Sequence, residues 1–172
     1  IATPTFTLSG TAIDATTTTG GDPTIQLRPG GGLIRYLNGE WDAVTGTLCV
    51  QWTPDSDTNA YLRYSRGYKS GGFYGASGLT PDFSADPEYV DAYELGIKKN
   101  WRRLQVNGAL FWNDYQGLQA PIRVLFNGVL ATNFLNLDAE TYGIELETIW
   151  SPIDPLQIMV NYNHLNATIT NG

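Results

Sequence analysis

Glu145 and Glu147 stand two residues apart in the run Tyr142-Gly143-Ile144-Glu145-Leu146-Glu147. On an extended strand they share a face, with carboxylates roughly 6 to 7 Å apart, a separation at which carboxyl pairs can act on glycosidic bonds. The same spacing makes a charge network with Arg63 or Lys98 on a wet strand face, and such a network needs no chemistry. We take that second reading and expect no catalytic residue, no metal and no cofactor. His164 is the sole histidine, with no second histidine or nearby carboxylate at ligand spacing. Asp82, Asp86, Glu88 and Asp91 fit no EF-hand loop and read as a solvated acidic loop. The basic cluster Lys98-Lys99-Asn100-Trp101-Arg102-Arg103 has two readings, attraction to anionic lipid headgroups or plain solvation. Gly67, Gly71 and Gly72 precede no helix that could cradle a phosphate, so they serve a sharp exit of the backbone from a strand.

The elements that must position these residues are strands. Charged residues are 16% of the 172 and hydrophobic ones 42%, against roughly 25% charged in soluble domains. Ten Tyr and five Trp favour strands and membrane interfaces alike. No apolar run approaches the ~20 residues of a membrane helix. A net charge of -7 with scattered Lys and Arg excludes a nucleic-acid partner, and the lone Cys49 excludes an internal disulfide.

Period-two alternation predicts strands at 3–13, 42–52, 59–66, 88–98, 104–112, 139–150 and 156–168, about seven in all. Short hairpin arms are expected at 24–28 and 33–37, and Asn127-Gly128 signals a further hairpin inside a long connection. The connections alternate between short (54–58, 99–103, 151–155) and long (14–40, 69–87, 113–138). A soluble sandwich has no reason to alternate so, whereas an outer-membrane barrel has short periplasmic turns and long outer loops. In that arrangement Leu48, Val50, Leu62, Leu95, Ile97, Val106, Leu110, Ile144, Leu146, Ile158 and Val160 face lipid. Gln51, Arg63, Glu94, Lys98, Gln105, Asn107, Glu145, Glu147 and Asn161 face inward. Trp52, Tyr61, Trp101 and Trp150 form an aromatic girdle near the short turns. The fold expected is therefore all-β, an antiparallel transmembrane β-barrel segment of up-and-down strands.

Several runs in order resemble the C-terminal half of TonB-dependent outer-membrane receptors. They are Trp41-Asp42-Ala43-Val44-Thr45-Gly46, Ser65-Arg66-Gly67-Tyr68-Lys69-Ser70-Gly71-Gly72-Phe73, Glu94-Leu95-Gly96-Ile97-Lys98, Phe111 to Tyr115 with Gln119, Tyr142 to Glu147, and Trp150-Ser151-Pro152. Together they cover roughly residues 41–168. The resemblance implies an importer in the bacterial outer membrane, in contact with lipid and lipopolysaccharide. A plug fills a barrel of about 22 strands, a TonB box couples it to the inner-membrane energy complex, and outer loops capture a scarce ligand such as a ferric siderophore. Tyr68, Lys69, Phe73, Tyr74, Phe83 and Arg123 are then the candidate ligand-binding residues of those loops. Arg63, Glu94, Lys98, Glu145 and Glu147 face the lumen and plug.

This chain shows neither plug nor TonB box, and it ends at Asn171-Gly172 without the aromatic residue that signals barrel assembly. About seven strands with unpaired edges could not stand alone in a bilayer. The expectation is thus part of a barrel, with the plug and the remaining strands elsewhere. A passive porin or adhesin segment and a soluble all-β carbohydrate-binding module are the alternatives.

Overall fold

Alternating segments such as Leu48-Cys49-Val50-Gln51-Trp52 give each strand one greasy and one polar side, and strands of this kind pair edge to edge into a two-faced sheet. A computed structural model describes residues 25–27, 33–35, 38–73, 84–126 and 129–172. Its ten strands are β1 (Ile25–Leu27), β2 (Leu33–Arg35), β3 (Gly46–Asp55), β4 (Thr58–Lys69), β5 (Gly72–Phe73), β6 (Ser84–Ala85), β7 (Glu88–Trp101), β8 (Leu104–Phe126), β9 (Val129–Ile153) and β10 (Leu156–Asn171). Six of them form one antiparallel sheet in the order β10-β9-β8-β7-β4-β3, and β1 with β2 and β5 with β6 form two small sheets. The expected strand at 3–13 lies outside the described residues.

The chain divides into two compact units. One comprises Ile1–Glu40, Gly72–Ser84 and Ile122–Asn133, and includes the β1–β2 hairpin, in register from Ile25↔Arg35 to Leu27↔Leu33. The other comprises Trp41–Gly71, Ala85–Pro121 and Phe134–Gly172, and holds most of the six-stranded sheet.

Three turns at one end of that sheet are two residues long: Ser56-Asp57, Arg102-Arg103 and Asp154-Pro155. They are the short connections expected from Pro54, Asp55 and Pro155. The turns are tied to one another, since Asn100 N donates to Asp57 O at 2.8 Å and Ser151 N to Arg103 O at 2.8 Å. At the other end the long connection expected at 113–138, with a hairpin inside it, is corrected in extent: its described residues are strand throughout. β8 and β9 run through it as strands of 23 and 25 residues, with the Asn127-Gly128 turn itself outside the described residues. Their polar stretches, rich in Asn, Asp and Gln, carry little apolar alternation, and the ladder continues through backbone pairing between neighbours.

Register fixes the faces. Leu62↔Leu95 and Leu95↔Leu110 put three leucines in one cross-strand row, and Arg63↔Glu94 and Glu94↔Phe111 belong to the opposite face. Leu95, Leu110 and Leu146 are 53%, 48% and 39% exposed. Among the described residues the buried apolar side chains are Ala85 and Ala139 alone. A soluble sandwich would press those leucines against a second sheet; no second layer of described residues covers them, so the soluble carbohydrate-binding reading is set aside. The sheet is open, with β3 and β10 as its edges.

Candidate functional site

The polar face carries a connected set of groups. Glu94 on β7 accepts a hydrogen bond from Tyr61 Oη at 2.5 Å and is paired with Arg63 on β4 through its other oxygen. Tyr61 reaches Glu94 because its ring lies over Gly96, where an added Cβ would run into the ring. Tyr61 therefore leaves the expected girdle. It shares the parity of Arg63 and pairs with Gly96, so its ring fills the inward hole above a glycine.

Further along the same face, Asn107 Nδ2 donates to Glu147 Oε2 at 2.9 Å and Asn163 Nδ2 to Glu145 Oε1 at 3.5 Å. The two glutamates are thus drawn toward opposite neighbours, β8 and β10, in a network of amides. With Tyr61, Lys98 and Asn161 they line a groove of about 400 Å³. Arg63, Glu94, Lys98, Glu145 and Glu147, five of the nine residues expected to face inward, share this face. The face is polar and charged: Glu94 is paired with Arg63, and the exposed Glu145 and Glu147 carboxylates accept from neighbouring amides.

The opposite face is apolar between two aromatic rows. Tyr64, Tyr93 and Trp112 are in register across β4, β7 and β8, with ring centroids 5.1 Å and 5.4 Å apart. Trp52, Trp101 and Trp150 lie at the short-turn end of the same face. Tyr93 to Trp101 on β7 and Tyr142 to Trp150 on β9 each enclose the apolar stretch with eight-residue steps. Aromatic belts flanking an apolar band mark a lipid-facing surface.

Beyond the upper row, Asp91 is 8% exposed. It accepts from Tyr64 Oη at 2.6 Å and from Arg66 Nη1 at 2.8 Å and 3.1 Å. Arg66 in turn sits 5.1 Å above the Tyr89 ring. Of the residues read as a solvated acidic loop, Glu88 and Asp91 lie on β7, within the strand expected at 88–98, and are paired, Glu88 with Lys69 at 3.8 Å; Asp82 lies outside the described residues.

The candidate ligand residues fall in both compact units. Tyr68 turns to the lipid-side face and packs on Tyr89 at 5.3 Å. Lys69 is exposed on the polar face, and Phe73 and Arg123 are exposed in the other compact unit. Tyr74 and Phe83 lie outside the described residues.

Sequence reasoning missed a second polar cluster, at the end of the sheet away from the short turns. Gln119, 5% exposed, donates through Nε2 to Ser70 O and Asp86 O, each at 2.9 Å. Asn136 Nδ2 donates to Asp86 O at 2.9 Å and Gly117 O at 2.6 Å. Gly117, at φ 68°, stands where the β7–β8 register ends at Tyr89↔Gln116. The left-handed backbone there is one that glycine adopts freely, and a Cβ would come within 2.7 Å of Pro87 O. The available signal was an isolated glycine inside a strand, which marks a bulge.

An open antiparallel sheet with two-residue turns at one end, a polar face opposite an apolar one, and paired aromatic rows is a wall of a transmembrane β-barrel. The model of the family described as TonB dependent receptor-like, beta-barrel, matches residues 4–172, and the chain belongs to that family. Among solved structures it is similar to the ferric yersiniabactin uptake receptor FyuA from Yersinia pestis, with a TM-score of 0.55 and 22% identity over 73% of this chain and 18% of that one. It is similar also to the alcaligin outer membrane receptor FauA from Bordetella pertussis (TM-score 0.52, 21% identity, 81% of this chain and 24% of that one). The copper transporter OprC gives a TM-score of 0.63 at 13% identity, over 74% of this chain and 21% of that one. At these identities the likeness is one of fold, and the chain spans about a fifth of the length of those receptors.

Proposed function

We propose that these residues form one arc of the wall of a TonB-dependent transporter in the outer membrane of a Gram-negative bacterium, importing a ferric siderophore or a similarly scarce metal chelate. The observation that carries the reading is the two-faced sheet: apolar between aromatic rows on one side, lined by Arg63, Glu94, Lys98, Glu145 and Glu147 on the other. A membrane wall needs the first face and an aqueous or plugged lumen the second. The open edges of β3 and β10 would be unsatisfied in hydrocarbon, so the remaining strands and the plug belong to the rest of the receptor.

In this reading the inward groups meet the plug, and the plug carries the contact to TonB. Ligand capture falls to the loops at the far end from the short turns, with Lys69, Phe73, Tyr74, Phe83 and Arg123 as candidates; Tyr68, packed on Tyr89 on the lipid side, leaves that set. The family is one of receptors, and the Glu145–Glu147 pair serves the lumen rather than turnover.

The test is uptake of radioactive ferric iron from conditioned medium by iron-starved cells. Uptake should fall when the gene is deleted, when TonB is removed, and when an uncoupler collapses the proton gradient. Gene-dependent uptake that persists without TonB would overturn the reading in favour of a passive pore.

A further inference from the structure

The apolar face has a depression at mid-height. Ala60 and Gly108 flank Ile97 in one cross-strand row, and with residues this small on both sides the surface falls away. A Cβ built on Gly108 would find Ile97 Cγ2 at 3.8 Å, Leu146 Cδ1 at 3.9 Å and Glu145 O at 3.9 Å, and nothing nearer. Leu95, Leu110 and Leu146 wall the depression, whose volume is about 580 Å³. From this row β7 and β8 run to the Arg102-Arg103 turn, with Trp101 as the last residue of β7. Three of the cations on this hairpin are spoken for: Lys99 pairs with Asp55 at 3.2 Å, Arg103 with Asp154 at 3.1 Å, and Lys98 lines the inward groove. Arg102 is exposed and has no acidic partner among the described residues. It follows Ile97 by five residues, about 17 Å along the strand at about 3.4 Å each and about 13 Å along the bilayer normal at a tilt near 40°. Half of the hydrocarbon core is about 15 Å. The Arg102 guanidinium thus reaches the headgroup level, and the depression lies where acyl chains end.

We propose that the depression and Arg102 are the two ends of one seat for an anionic phospholipid of the leaflet on the short-turn side, with its phosphate at Arg102 and one acyl chain over Gly108. Trp101, 53% exposed, stands between them at the level where an indole prefers to lie. Charge complementarity selects the head. A zwitterionic head brings its own cation to the phosphate, whereas an anionic one leaves the phosphate charge to Arg102. The depression selects against a free phosphate, which has no chain to fill it. The seat rests on the barrel-wall reading and is independent of what the receptor carries.

The test uses the full-length receptor in a mild non-ionic detergent, titrated with phosphatidylglycerol or with phosphatidylethanolamine of the same chains, and counts bound lipid by native mass spectrometry. The first phosphatidylglycerol should be held about fivefold more tightly than phosphatidylethanolamine, the gain expected of one arginine beside an anionic lipid. Arg102→Gln should remove that preference and leave phosphatidylethanolamine binding as it was. Lys98→Gln takes the same charge from the inward side of the same strand and should leave the preference intact. Ala60→Leu fills the depression from a position that meets only lipid, and should weaken both lipids alike; Gly108→Leu repeats this from the other side of Ile97 if the first variant does not assemble. Equal binding of the two lipids by the wild type overturns the seat, and that comparison needs no variant. An equal loss of preference in Arg102→Gln and Lys98→Gln overturns it too, since the attraction is then diffuse, as does a filled depression that costs neither lipid anything. The wall reading fails by a different result: a full-length receptor that stays monodisperse in plain buffer ends the wall, whereas equal lipid binding ends the seat alone.

Discussion

Replacing Ile97 by arginine should destabilise the complete barrel by about 2–4 kcal/mol, the penalty for a cation at the middle of the lipid face. Ile97 pairs with Ala60 and Gly108 on the apolar side, midway between Tyr93 and Trp101. Eight residues at about 3.4 Å each span about 27 Å along the strand. A tilt near 40° turns that into about 21 Å along the bilayer normal, which places Ile97 about 10 Å below one aromatic row and above the other. At that depth an arginine cannot reach either interface without distorting the sheet or the bilayer. A folding equilibrium measured in lipid vesicles by tryptophan fluorescence should shift by about 30-fold to 1,000-fold, since each 1.4 kcal/mol is a factor of ten. Gln51→Arg, on the inward face beside Tyr61, should stay within about 0.5 kcal/mol, as an exposed substitution in a wet lumen does. Equal penalties at the two positions, or a larger one at Gln51, would refute the assignment of faces.

Three further outcomes follow from named contacts. Gly96→Ala drives a methyl into the Tyr61 ring and breaks its hydrogen bond to Glu94, at about 1–3 kcal/mol for an overpacked site. Tyr61→Ala in the same chain should recover most of that, and a double-mutant cycle with coupling near zero would show that the two do not touch. At the short-turn end, beyond the Trp52 row, Thr58 Oγ1 and the Asp57 amide hold the Asp55 carboxyl below its ordinary 3.8, with Lys99 beside it. A depressed carboxyl pKa contributes stability above the unfolded value and loses it as pH falls through the folded one. Asp55→Asn should therefore differ from wild type at neutral pH and converge with it well below pH 3.8, and a difference that persists in acid would refute the linkage. Replacing Glu145 and Glu147 together by Gln should leave barrel stability within about 0.5 kcal/mol, because Asn107 and Asn163 can donate to amide oxygens as they do to carboxylates; a barrel that no longer assembles would contradict their place on a wet lumen wall.

What could be read from the sequence is what depends on positions two residues apart. The parity of Leu62, Leu95 and Leu110 against Arg63 and Glu94 is written in each strand by itself, and the register keeps it. Tyr61 lies near a turn, but its parity with Arg63 is what decides its face. Ser56-Asp57 and Asp154-Pro155 are turn chemistry, equally local. The polar ends of β8 and β9 were not legible, because Asn113, Asp114, Gln116, Asn136 and Asp138 are poor strand formers held in the ladder by neighbours rather than by propensity.

The polar cluster of Gln119 and Asn136 was the least legible element, and for a physical reason. Gln119 and Asp86 are 33 residues apart and Asn136 and Asp86 are 50 apart, and they meet only because the register of three strands is already set and Gly117 bends β8 at the right place. A period of two tells a residue which face it is on; it does not tell it which residue stands across from it. The contacts of Gln119 with Ser70 and Asp86, and of Asn136 with Asp86, depend on the second kind of information alone.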